Sequence, residues 1–400
     1  MRKFLLVAIV AFFVLYILFF CVLPSDRHAA EMQAAGNAAR ARFAEEQSHA
    51  EDPQKNGYLA APFLDFWGIK TVAKEDSSAR AIVEAWNKYD DHKSKSPAYL
   101  KAKEDFAGLL PGLAEALSKP YFVVPAKQLR YKNPVFNLLA MRSIALALSG
   151  YAASQSADGN PAEAARCVAL IWELGKHQYG LHESLFDLAL LSIGYETCLQ
   201  NLGPNSELTA AQWLELKRSI EQATPQEDRL KRALETDVAL VQNAFQEGVE
   251  PADDNADLWL MRTLPGMWSR EQRIYDNQMG EVLAGHKPQL GFTWGRWLVG
   301  SNGFVADITI PNAKQAGYRI ELLRAQLKGL SAYCQVNANR AEHGKLPAQL
   351  DLPAGLTWEA SQKRLRVKVS PEALEATKLS REQPLPAYVT FDEQGLVFQF

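Results

Sequence analysis

His177, His182 and Glu183 are the first residues in this chain with the makings of a metal site. A zinc protease helix carries His-Glu-x-x-His, which stacks two ligands one turn apart with a base between them. Here the histidines are five apart and Gly180 interrupts the segment, so they read as loop residues. Asp253, Asn255 and Asp257 open with the rhythm of a calcium loop. The sixth position of such a loop needs Gly for its turn and the twelfth a bidentate Glu. Leu258 and Leu264 stand there instead, so the stretch reads as a polar loop.

Other catalytic signatures are missing from the sequence. It has no Gly-x-Ser-x-Gly elbow, no phosphate-cradling Gly-x4-Gly-Lys-Ser/Thr loop and no dinucleotide fingerprint. The sequence therefore assigns no catalytic residue, no cofactor and no metal. A net charge of -3 offers no basic surface for nucleic acid. With 48% hydrophobic and 22% charged residues, the chain can bury one large core or two.

Four cysteines are too few for a disulfide framework. Cys21 lies in an apolar run, which leaves Cys167, Cys198 and Cys334. Cys167 and Cys198 fall on neighbouring predicted helices at unequal distances from the intervening turn. Two readings stay open for them: a disulfide, or two buried free thiols. Trp259, Trp268, Trp294 and Trp297 cluster in "LWLMRTLPGMW" and "GFTWGRWLVGSNGFV". Aromatics concentrate at interfaces, so these four form a candidate partner surface, against the plainer reading that they pack on a helical core.

The elements that must position these residues are mostly helical. Helical spacing of Ala79, Ile82, Val83 and Trp86 predicts a helix over 77–89. Ser96-Pro97 opens another, which Pro111 is expected to interrupt. Residues 135–201 hold three amphipathic segments with short loops, hence antiparallel neighbours. Asp158-Gly159-Asn160 turns the first pair, with Asn160 capping and Pro161 at the first helical position. Further helices are expected over 209–223, 225–246 and 312–342, and residues 247–312 read as less regular. At the end the pattern changes. "RLRVKV" alternates as a strand does, Trp358 suits another, and "AYVTFDEQGLVFQF" reads as a hairpin turning at Asp392-Glu393-Gln394-Gly395.

The amino-terminal residues set the expected compartment. "FLLVAIVAFFVLYILFFCVL", residues 4–23, has no charge, Gly or Pro. Twenty residues at ~1.5 Å each cover ~30 Å, a hydrocarbon core. A cleavable signal has a shorter apolar region and a small-x-small site. Leu18, Phe19 and Phe20 before Cys21 are also too large for a lipoprotein signal. The expectation is a retained transmembrane helix. Arg2 and Lys3 place its amino terminus in the cytoplasm and residues 24–400 in the periplasm of a bacterium, on the inner membrane. Residues 24–57 read as a polar, solvated helical stalk, 58–312 as a helical domain, and 313–400 as a long helix plus a small sheet.

Three segments resemble known families. "GNPAEAARCVALIWEL" resembles the turn and second helix of a tetratricopeptide hairpin, with Gly159, Glu163 and Ala164 at matching positions, though no 34-residue period follows. "NANRAEHGKLPAQL" after a long helix is similar to the helix-to-loop corner of type II secretion pseudopilins, while the membrane segment lacks their cleavage motif and lies far upstream. Positions 100–400 together resemble a group of uncharacterised, membrane-anchored helical proteins of bacterial envelopes. That resemblance implies architecture and envelope location only. In the corner itself, Gly344 suits a helix exit and Pro347 blocks continuation.

The leading expectation is a mainly α, single-pass envelope protein that binds other envelope proteins as a scaffold or accessory of a secretion or envelope assembly. The rival is a periplasmic enzyme acting on peptidoglycan or peptides through carboxylates that sequence does not locate. A ligand sensor is a third reading, without a signalling domain ahead of the span.

Overall fold

A computed structural model describes residues 27–59, 78–89, 96–123, 138–176, 187–226, 228–247, 267–284, 304–378 and 385–400. The fold is mainly helical with one small antiparallel sheet at the carboxyl end. The described residues fall into two compact units, one from Met1–Arg42 and Leu230–Ala316, the other from Phe43–Arg229 and Gly317–Phe400. The chain thus visits each unit twice, and the units are not the sequential blocks that composition marks out. No described helix is long and apolar enough to cross a membrane, and residues 4–23 lie outside the described residues.

The first unit contains helix α1 (Ala29–Gln47) as far as Arg42. This is the segment expected to stand as a solvated stalk. It is a helix, but Met32, Ala35, Gly36 and Ala39 are buried. They form a narrow stripe at helical spacing, and its small side chains let another backbone come close. A Cβ on Gly36 would fall 2.2 Å from Gln242 Oε1. Gln242 uses that approach: its Nε2 donates to Met32 O at 3.0 Å, while Arg40 Nη2 donates to its Oε1 at 2.8 Å. Arg42 Nη1 lies 2.6 Å from Glu235 Oε2. Met32 and Ala35 share a core with Leu234, Val238, Tyr275 and Met279. Those partners come from the helices at Arg229–Glu247 and Met267–Leu283, the second of which lies in the stretch read as irregular. The expectation failed because alanine and glycine carry too little hydrophobicity to mark a face.

In the second unit, α2 (Ser78–Trp86) and α3 (Pro97–Ser118) precede three packed helices, α4 (Leu138–Ala157), α5 (Pro161–Lys176) and α6 (Asp187–Asn201). Helix α3 starts at Pro97 as expected, and Ser96 caps it, its Oγ accepting Tyr99 N–H. Pro111 does not interrupt α3, which continues to Ser118. An internal proline costs about 3 kcal/mol; burial of Phe106, Leu110, Leu113 and Leu117 along one face offsets it. Trp86 is fully buried against Phe106, Tyr99 and Tyr151, and its Nε1 donates to Ala147 O at 2.9 Å. At the α4–α5 turn Gly159 takes φ 79°, a left-handed value that glycine adopts freely. Asn160 donates its side-chain amide to Gln155 Oε1.

Helix α7 (Ala210–Ala223) begins with a reciprocal cap: Gln212 N donates to Thr209 Oγ1 and Thr209 N to Gln212 Oε1. After α8 (Arg229–Glu247) and α9 (Met267–Leu283), helix α10 runs from Phe304 to His343. It ends where Gly344 turns left-handed at φ 69° and donates to Arg340 O at 2.8 Å, the exit expected at the corner. The sheet follows as β1 (Leu356–Glu359), β2 (Arg364–Lys368), β3 (Val389–Asp392) and β4 (Gly395–Gln399), in spatial order β1-β2-β4-β3, with α11 (Pro371–Lys378) between β2 and β3. Alternation puts Leu365, Val367, Val389, Leu396 and Phe398 on the inner face, which packs on Gly329 of α10. Asp392 Oδ1 accepts both Gln394 N and Gly395 N, closing the predicted hairpin turn.

Candidate functional site

Helix α7 ends one residue before a cleft. Thr224 closes the helix by donating its backbone N–H and its hydroxyl to Ile220 O, at 2.9 and 2.7 Å. Pro225 then prevents another turn. Behind this end runs α10, whose apolar side buries Ile320, Leu323, Leu327 and Leu330 in the second unit. Arg324 and Lys328 sit on a different side of the same helix, one turn apart. The cleft between them has a volume of about 550 Å³ and is lined by Glu221, Thr224, Pro225, Gln226, Asp228, Arg324 and Lys328.

One wall is fixed from within the fold. Glu221 Oε1 accepts Lys217 Nζ at 2.7 Å and Ser331 Oγ at 3.0 Å, which bridges α7 to α10. Lys328, also in the lining, is exposed and makes no hydrogen bond or ion pair with any described residue. Two carboxylates and two cations therefore face one open cavity, with an amide and a hydroxyl beside them. Such a lining suits ion-pair and hydrogen-bond recognition of a ligand carrying both signs of charge.

A second polar cluster is buried. Tyr333 donates its hydroxyl to Leu202 O at 3.3 Å, Tyr388 donates to Leu199 O, and the two rings stack with centroids 5.9 Å apart. Cys198 and Cys334 lie fully buried beside them. Burial pushes both thiols up, and for Cys334 the neighbouring Cys198 adds to the effect. Burial likewise pushes Cys167 up to about 12. Cys167, Cys198 and Cys334 are each free and buried in this structure, with no Cys167–Cys198 bridge. Protonated, enclosed thiols are packing groups, not nucleophiles.

Comparison with protein-family models, curated proteins and solved structures finds no match.

Of the residues that sequence singled out as a partner surface, Trp259, Trp294 and Trp297 lie outside the described residues, and for Trp268 only its place in α9 is described. His177, His182 and the Asp253–Asp257 stretch also lie outside them. Among the described residues no group of three or more His, Cys, Asp or Glu is placed to hold a metal ion. The cleft residues escaped sequence reading because Arg324 and Lys328 at i and i+4 look like any solvated helix face. Only the approach of Glu221 and Asp228, about a hundred positions away, makes them a site.

Proposed function

We propose that this chain is a single-pass protein of the bacterial inner membrane, anchored by residues 4–23 with its amino terminus cytoplasmic and its folded units periplasmic, and that it binds other envelope proteins as a scaffold or accessory of an envelope or secretion assembly. One observation carries the location: an uncharged apolar run of bilayer length directly preceded by Arg2 and Lys3. The binding role is supported by the mixed-charge cleft of Glu221, Asp228, Arg324 and Lys328, whose open form suits a protein segment. The resemblance of 159–174 to a tetratricopeptide hairpin and of 337–350 to a pseudopilin corner is in keeping with the envelope location.

Two measurements test this reading. Alkaline phosphatase fused after Phe400 is expected to be active, and amino-terminal sequencing to find no mature start near residue 30; an inactive, well-expressed fusion reverses the orientation, and such a start removes the anchor. Partners that co-purify from detergent-solubilised membranes are expected to be lost from a Lys328→Glu variant that still melts cooperatively. Equal recovery with both chains takes the cleft out of the binding role.

A further inference from the structure

Four steps of chain separate the apolar run, which ends at Leu23, from Arg27. Arg27 is already part of the folded unit: its backbone N–H donates to Asn277 Oδ1 at 2.9 Å. The next residue adds a second tie, His28 Nε2 to Glu281 Oε1 at 3.2 Å, with the His28 side chain only 17% exposed. Gly280 lies directly beneath the imidazole, where a Cβ would come within 2.4 Å of it. From Met32 onward α1 is locked in the core with Leu234, Tyr275 and Met279. Nothing between Arg27 and this core can extend as a stalk.

Covalent geometry then limits the distance. Four Cα steps, fully extended, reach ~14 Å. The polar layer on each side of the hydrocarbon is roughly 5–8 Å thick. Beyond the headgroups at most ~9 Å remains, less than the ~10–12 Å diameter of a single helix. No folded partner fits in that gap.

Building on the anchor reading above, we propose that the end of the first unit formed by Arg27, His28, Asn277 and Glu281 rests in the headgroup layer of the bilayer, with phospholipid headgroups as its ligand. The exposed Arg27 guanidinium, which takes no partner among the described residues, suits the phosphate. Glu31, 62% exposed and 3.5 Å from His28, presents a carboxylate to the ammonium or choline end. Because both signs are present, a zwitterionic membrane suffices.

The test uses the full chain in phosphatidylcholine vesicles containing a lipid with a nitroxide on its headgroup. A fluorophore is placed at the exposed Ala284, one turn beyond Gly280, as Ala284→Cys in a Cys21→Ser chain; the other three thiols are fully buried and stay unlabelled. Emission is expected to be quenched several-fold more strongly than in the same chain carrying a long Gly/Ser insertion after Ser25. Equal emission from the two chains, in protein that floats with the vesicles after an alkaline wash, overturns the headgroup contact and leaves the anchor standing. Protein that fails to float overturns the anchor instead.

Discussion

Gly329 on α10 lies directly against Val367 on β2: a Cβ at position 329 would sit 2.6 Å from Val367 Cγ2, and 2.8 Å from Phe398 Cε2. The sheet thus rests on the helix at a place where the helix has no side chain. Phe398 in turn packs its ring against Tyr333, one turn further along, with centroids 5.5 Å apart. Gly329→Val is expected to destabilise the protein by about 2–3 kcal/mol through overpacking. Gly329→Ala should cost less, because alanine's better helix propensity returns about 1 kcal/mol. Thermal melts of the two variants should therefore rank valine below alanine below wild type.

Asn56 is fully buried and uses its whole side-chain amide. Its Nδ2 donates to Ala50 O and Val123 O, both at 2.7 Å, and its Oδ1 accepts Tyr58 N and Val123 N at 3.1 and 2.9 Å. Asn56→Ala leaves buried donors and acceptors stranded, a loss of about 3 kcal/mol or more. Asn56→Asp keeps the acceptors but, ionised, cannot donate to either carbonyl. It should be no better than alanine at neutral pH and should recover as the carboxyl protonates. Urea unfolding at two pH values checks both.

Burial pushes the Asp237 carboxyl up from its ordinary 3.8 to about 6. Between these values the folded chain holds a proton that the unfolded chain has released. Stability from this group is therefore full below about pH 4, falls as pH rises to about 6, and stays low above it. Asp237→Asn should abolish that fall. The variant is expected to exceed wild type by about 3 kcal/mol at pH 7.5, with the gap closing near pH 4. The urea transition that the substitution moves is the one to follow.

Cys167, Cys198 and Cys334 should resist alkylation in the native protein at pH 8, since each is enclosed and its thiol is held protonated by burial. In urea all three should react without prior reduction. Peptide mass mapping decides the matter: a linked Cys167–Cys198 peptide pair in unreduced protein would contradict the free thiols.

Sequence alone decided what depends on a few neighbouring residues. Ser96-Pro97 started a helix, Gly344 ended one, and Asp392 to Gly395 turned a hairpin, because each rests on a backbone angle or a local hydrogen bond. The alternation of β2 likewise declared its faces, since a strand's period needs no partner to be read. Only the tertiary structure decided that α1 buries one face, that α3 passes through Pro111, that Cys167, Cys198 and Cys334 are free, and that Glu221 meets α10 at Ser331. These outcomes depend on which surfaces meet. A stripe of alanine and glycine gains its value only when another helix lies on it, and a proline's lost hydrogen bond matters only against the apolar area buried around it. Such sums run over atoms far apart in the chain, so no local pattern of residues carries them.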